Sequence, residues 1–255
     1  MNAGLPQPNF RLEGKTALVT GGGRGIGQAA AVALAHAGAS VTLASRSENE
    51  LRDTCRLITD AGGSCDYVVM DVTDPGAVDK ALAGRGAFNI LVNSAGMNRP
   101  KKLVDVEDDD IDSVLDLNVK GAFYVTRLVA RAMLRDKAGG SIINISSQMG
   151  LVGSPGRTLY CASKHALEGM TKALAWELGA YNIRVNSICP TFIETAFTAG
   201  MFKDESFREW VTSRIALGRV GRLEEVMGPV VFLASDASSL MTGSALVLDG
   251  GWTAA

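Results

Sequence analysis

Seven short runs along the chain are apolar at nearly every position. Longer segments, with apolar residues recurring every three or four positions, separate them. The runs are KTALVTG, SVTLAS, CDYVVMDV, FNILVNSAG, GSIINISS, NIRVNSICP and SALVLDG. Runs of this length, rich in β-branched residues and bounded by turn residues, read as strands. The segments between them read as helices. GQAAAVALAHAG and ENELRDTCRLITDAGG each stop at glycine, and DPGAVDKALAG follows. One long helix is expected across DDDIDSVLDLNVKGAFYVTRLVARAML, then YCASKHALEGMTKALAWELGAY and LEEVMGPVVFLAS. Strands that are apolar on both faces and joined by helices imply a parallel sheet covered on both sides. The expected fold is therefore α/β, a doubly wound, mostly parallel sheet of about seven strands with helices on both faces. Without a repeat or a linker, residues 1–255 read as one domain. Residues 1–12 are expected to be a flexible tail. The least regular connection, 195–221, is expected to be either a lid at a binding edge or a pair of surface helices.

Composition narrows the classes of function. Hydrophobic residues make up 47% and charged residues 20% of the 255, and the net charge is −2. The absence of a basic run disfavours nucleic acid as a partner. No stretch has the length of a membrane span and no secretory signal is read at the N-terminus, so a cytoplasmic protein is expected. Cys55, Cys65, Cys161 and Cys189 form no CxxC pair, and His36 and His165 complete no ligand set. No metal site and no disulfide framework are expected, which suits a reducing compartment.

The first strand runs straight into TGGGRGIGQAA, where Gly25, Gly27 and Ala30 satisfy G-x-G-x-x-A at a strand-to-helix junction. Glycines allow the tight turn and the approach of a pyrophosphate, and the helix N-terminus offers free N–H groups. A cofactor with a free ribose 2′-hydroxyl is usually held by an acidic residue about twenty positions on. Ser45 and Arg46 stand there instead, with Arg24 inside the glycine loop. Two guanidinium groups and a hydroxyl suit a 2′-phosphate, so NADP(H) is preferred. NAD(H) remains open, with Arg46 solvated and Glu48 reaching the ribose.

Tyr160 and Lys164 lie four residues apart in YCASK, which puts them on one helix face. A cation held near a phenol lowers its pKa from about 10, so Tyr160 is expected to become an acid/base group near neutral pH. Ser147 ends the strand INISS thirteen positions earlier, where its hydroxyl could polarise a carbonyl. Asn118 sits unusually inside a helical segment.

These parts together resemble the short-chain dehydrogenase/reductase family, in its single-domain branch, from Gly14 to Trp252. TGGGRGIG is similar to the family's TGxxxGxG loop, with Thr20, Gly21, Gly25 and Gly27. NSAG is similar to NNAG, with Asn93, Ala95 and Gly96, and departs at Ser94. CPTFIET resembles the family's Pro-Gly motif followed by Thr195, with Thr191 in the place of glycine. Asn118, Ser147, Tyr160 and Lys164 match the catalytic tetrad. The resemblance implies hydride transfer at the nicotinamide C4. Ser147 would bind the substrate oxygen and Tyr160 would exchange its proton. Lys164 would lower the tyrosine pKa and hold the nicotinamide ribose, and Asn118 would position a water joining Lys164 to solvent. Asp71 would contact the adenine and Thr195 would seat the nicotinamide. Ile26, Val72, Pro190 and Ile193 complete the implied cofactor set, and a homotetramer is the family's usual assembly, packed along the Asn118 and YCASK helices. The implied reaction interconverts a secondary alcohol and a ketone on a small-molecule substrate. Sugars and polyols, 3-oxoacyl thioesters and hydroxylated rings all remain open, with a tilt towards sugar-like substrates. A nucleotide-binding regulator without catalysis is the reading from another class.

Other features are expected to be structural. VEDDDID reads as a solvated helix start, and His165 as packing or surface. Arg157 is expected on a loop surface, with contact to an anionic substrate as the alternative. Gln148, Met149, Leu151, Thr191 and Phe197 are expected around the pocket.

Overall fold

A computed structural model describes residues 7–254, apart from the side chain of Phe197. In chain order the elements are β1 (Thr16–Thr20), α1 (Gly25–His36), β2 (Ser40–Ser45), α2 (Glu48–Asp60), β3 (Ser64–Val69), α3 (Pro75–Leu82) and β4 (Ile90–Asn93). They continue with α4 (Asp108–Leu115), α5 (Gly121–Asp136), β5 (Gly140–Ile145), α6 (Thr158–Leu178), β6 (Ile183–Pro190), α7 (Ala196–Ala199), α8 (Glu205–Thr212), α9 (Glu224–Ala234) and β7 (Ala245–Leu248). The strands form one sheet in the order β3-β2-β1-β4-β5-β6-β7, and every pairing is parallel. All seven expected strands are present.

Alternate residues of each strand face opposite layers. Ala17, Val19, Val41, Leu43, Ile143 and Ile188 pack with α1, α2 and α9 on one face. Leu18, Leu91, Ile142 and Val185 pack with α3, α5 and α6 on the other. Chain order reverses between β1 and β4, which stay paired to their ends at Thr20 and Asn93 while the connections beyond them lead to opposite faces, and this is where ligands enter open α/β sheets.

Two expectations are corrected. Residues 1–6 of the expected tail lie outside the described residues, and the chain is already docked from Asn9 onwards. Ala237 donates its N–H to the Asn9 carbonyl at 3.2 Å, Leu12 donates to Ala37 at 2.7 Å, and Leu12 is buried. The long helix expected through Asn118 is helical throughout but not α throughout. A single π turn, Asp116–Lys120, separates α4 from α5, and Gly121 donates to the Asp116 carbonyl across it. Such turns insert one residue and re-aim a side chain inward; here that side chain is Asn118, which is buried.

Among the described residues no helix is long and apolar enough to cross a membrane, and no group of His, Cys, Asp and Glu could hold a metal ion.

Candidate active site

A cleft of about 540 Å³ opens above the C-terminal ends of β1 and β4. Its floor on one side is the loop between β1 and α1. Gly27 is there because a Cβ would stand 2.2 Å from the Gly21 carbonyl oxygen, and Gly25 because its φ is +58°. Thr20 knits this loop to the end of β4, its hydroxyl accepting from the N–H groups of Ser94 at 3.1 Å and Ala95 at 3.3 Å. The first turn of α1 carries no acidic residue and its N-cap, Arg24, makes no side-chain cap. Its N–H groups are therefore left for an anion, which is what a pyrophosphate requires.

Gly21, Arg24, Gly25, Ile26, Gly27, Ser45, Arg46, Asp71, Val72, Ala95, Gly96, Pro190, Ile193 and Thr195 all line this cleft. Arg24 lies 3.6 Å from Glu50 and Arg46 lies 3.9 Å from Asp71, with both guanidinium groups largely solvated and both carboxylates half-buried. Pairs this loose and exposed hold the guanidinium groups only weakly. Asn93 does not face the cleft. Its amide donates to Thr126 at 2.8 Å and to Asn144 at 2.9 Å, and Asn144 donates on to Thr171. That buried ladder fastens β4 and β5 to α5 and α6.

Ser147, Tyr160 and Lys164 meet at the opposite wall. The Ser147 hydroxyl donates to Gln148 Oε1 at 2.7 Å and accepts from the Met149 N–H at 3.1 Å. The Lys164 ammonium lies 5.6 Å from the centre of the Tyr160 ring and donates to the Ile145 carbonyl at 2.8 Å. Burial pushes the Tyr160 phenol up to about 12, and its hydrogen bond with Ser147 opposes this without cancelling it. Burial also pushes Lys164 down to about 8 against the favourable fields of Cys189 and Glu168. The expected lowering of the tyrosine pKa is thus reversed in the free protein. The Ser147 hydrogen bond and the field of Arg157 favour the phenolate but do not outweigh its removal from water.

Asn118 touches the site without lining it. Its Oδ1 accepts from the Met97 N–H at 2.8 Å, and its amide donates to the Met97 carbonyl at 2.9 Å and to Ser163 Oγ at 3.0 Å. Both amide hydrogens are used by protein, so a water held here between Lys164 and solvent would donate to an Asn118 oxygen rather than accept from the amide. Its amide instead locks the loop after β4 onto α6.

Gln148, Met149 and Thr191 line the cleft as expected, whereas Leu151 is exposed and is not part of the lining. Thr191 does not have a positive φ, so glycine is not needed at that position. Phe197 is a further expected pocket residue whose side chain lies outside the described residues. Met97, Asn98, Thr198 and Met201 also line the cleft and carry no motif that marks them. Asp110 in VEDDDID is not solvated. It is buried and binds Lys101 at 2.6 Å and Arg99 at 3.1 Å, pinning the loop after β4. His165 is a helix-surface residue held to the Cys161 carbonyl, as expected. Arg157 is the residue most misjudged from sequence. It is only 8% exposed and lines the cleft beside Tyr160.

Known proteins share this architecture. The family model described as Enoyl-(Acyl carrier protein) reductase matches residues 21–253. The 3-oxoacyl-(acyl-carrier-protein) reductase FabG of Thermotoga maritima is 42% identical over 246 residues, covering 95% of this chain and 99% of the relative. The 2-dehydro-3-deoxy-D-gluconate 5-dehydrogenase of Bacillus subtilis is 40% identical over 246 residues, 95% of this chain and 96% of the relative. The crystal structure of a gluconate 5-dehydrogenase from Burkholderia cenocepacia, in complex with NADP and tartrate, has a TM-score of 0.92 at 37% identity. It covers 97% of this chain and 98% of that one. The chain belongs to the short-chain dehydrogenase/reductase family.

Proposed function

We propose that this protein is an NADP(H)-dependent oxidoreductase that interconverts a secondary alcohol and a ketone on a small sugar- or polyol-like substrate. The observation that carries the reading is the convergence of Ser147, Tyr160 and Lys164 on one wall of a cleft whose other wall is the glycine loop. Relatives that act on dehydro-deoxy-gluconate, and a neighbour crystallised with NADP and tartrate, support it. The Thermotoga relative keeps 3-oxoacyl-thioester reduction as a second reading.

When bound, the dinucleotide accepts or supplies the hydride, and the protein supplies geometry and proton transfer. Gly21, Gly25, Ile26 and Gly27 would hold the pyrophosphate. Arg24, Ser45 and Arg46 would hold the 2′-phosphate, Asp71 and Val72 the adenine side, and Ala95, Gly96, Pro190, Ile193 and Thr195 the nicotinamide side. Ser147 hydrogen-bonds the substrate oxygen. Tyr160 gives that oxygen a proton on reduction and takes one on oxidation. Lys164 keeps a positive charge beside the Tyr160 ring and would hold the nicotinamide ribose. Asn118 is a positioning residue acting through Met97 and Ser163.

We read the whole chain as one dinucleotide-binding and catalytic domain, with 195–221 as the lid. Thr195, Ala196, Thr198 and Met201 from that segment support this by lining the cleft. We place the protein in the cytoplasm as a homotetramer. The four cysteines are free thiols. Trp176 on α6 is 90% exposed, with Phe123 on α5 also exposed, as surfaces used between subunits would be. Sedimentation as a 26.7 kDa monomer would contradict the assembly.

The cofactor assignment is tested by following nicotinamide absorbance with NADP⁺ and NAD⁺ on a panel of sugars, polyols and hydroxyacyl esters. Arg46→Ala is expected to raise KM for NADP⁺ by about 10- to 100-fold, the worth of one charge-assisted pair, and to leave KM for NAD⁺ nearly unchanged. Equal effects on the two cofactors would remove Arg46 from the 2′-phosphate site.

A further inference from the structure

We infer that the substrate carries a carboxylate and that Arg157 is its anchor: a guanidinium buried in the substrate half of the cleft faces no anion there. The inference rests on the oxidoreductase reading and names the class of substrate within it.

The charges lining the cleft are unevenly placed. Among the described residues the acidic ones lining it are Glu50 and Asp71, and both sit at the cofactor rim beside Arg24 and Arg46. The wall around Ser147 and Tyr160 carries Arg157 and Lys164 and no carboxylate. Lys164 donates to the Ile145 carbonyl. Arg157 has only soft partners among the described residues, its Nη2 lying 3.5 Å from Met201 Sδ and its guanidinium 5.9 Å from the centre of the Phe207 ring.

A thioether and a ring face leave most of the five N–H donors of a guanidinium unused. The contrast within the molecule is Arg184, also desolvated, which donates to Ser238 Oγ and to the carbonyls of Met241, Leu233 and Ser235. Arg184 is satisfied by its own fold and Arg157 is not. Buried cations are ordinarily paired, so an unpaired one in a ligand cleft implies that the ligand brings the anion.

Two further polar atoms on the same wall lack partners. Gln148 and Thr191 line the cleft, and the buried Gln148 Nε2 and Thr191 Oγ1 have no hydrogen-bond partner among the described residues. The Arg157 fork suits a carboxylate, which a guanidinium grips with two parallel bonds. One cation matches one negative charge, which favours a polyhydroxy carboxylic acid over a phosphate ester. The neutral thioester of an acyl carrier would leave Arg157 buried and unpaired.

The test compares four- to six-carbon aldonates with the alditols of the same length as substrates with NADP⁺. It uses wild type, Arg157→Gln and Arg157→Lys. The wild type is expected to prefer acids in kcat/KM. Arg157→Gln is expected to lower that acid-to-alditol ratio by about 10- to 100-fold, mainly through KM, and Arg157→Lys to restore part of it. Tartrate and threitol are titrated into the NADP-loaded protein in parallel by tryptophan fluorescence. Tartrate should saturate the wild type and bind Arg157→Gln at least tenfold more weakly.

An unchanged ratio, with acids and alditols slowed equally, would reduce Arg157 to a brace for Phe207 and Met201 and overturn the inference. So would a preference for sugar phosphates, or tartrate binding indifferent to Arg157. Turnover of neutral polyols alone would leave the oxidoreductase reading standing without the anchor. Arg157-dependent tartrate binding without turnover of any substrate would do the reverse.

Discussion

Tyr160→Phe is expected to lower kcat by about 10²- to 10⁴-fold in both directions, the usual worth of a positioned acid/base group, with cofactor affinity little changed. The substitution removes one oxygen from a ring that packs against the cluster containing Met149 and Phe192, so the fold should survive it. The phenol also sets the pH behaviour. Burial holds it at about 12 in the free protein, so at neutral pH it is protonated and ready to donate. Reduction should run on a plateau through neutral pH and fall as the phenol ionises, whereas oxidation should climb with pH through the same range. Stopped-assay pH profiles in both directions check this. Retention of more than a tenth of wild-type kcat by Tyr160→Phe would remove the tyrosine from the chemistry.

Lys164→Met is expected to lose most activity while making the protein more stable, a trade common where a strained group serves a site. Lys164 is buried, and burial holds it at about 8 rather than 10.5. The gap corresponds to about 3 kcal/mol of stability given up to keep an ammonium there. Part of this is offset by the hydrogen bond to Ile145, so a gain of about 1–3 kcal/mol at pH 7 is expected. The sign follows from proton binding. Below pH 8 the folded and unfolded lysines are both charged and the cost is complete. Between about 8 and 10.5 the unfolded chain binds the extra proton, so wild-type stability rises with pH relative to the variant. Denaturant melts of both proteins at pH 7 and pH 10 should show the stability gap narrowing. A variant less stable than wild type at pH 7 would show that Lys164 is held by favourable contacts.

Much of the fold was legible because parallel, doubly covered strands must be apolar on both faces, as VTLAS, ILVN and IINI are. The glycine loop was legible because φ at Gly25 and the contact between Gly21 and Gly27 exclude a side chain. What escaped depends on distant partners. Arg157 reads as a loop residue until Met201 and Phe207, some forty to fifty positions on, close over it. The π turn at Asn118 follows from two hydrogen bonds to Met97 that no local pattern announces. The Tyr160–Lys164 spacing correctly brought the two groups together, but which pKa moves, and in which direction, is decided by how deeply both are buried. Asn93 lay in a matching motif and points the other way, because alternate strand residues face opposite layers.

The central claim is hydride transfer between a carbinol carbon and the nicotinamide of NADP(H). The most direct measurement supplies the accepted alcohol deuterated at that carbon, with NADP⁺ and enzyme, and weighs the reduced cofactor by mass spectrometry. The account predicts one deuterium in each NADPH formed. Unlabelled NADPH, with the deuterium released to water, would contradict it.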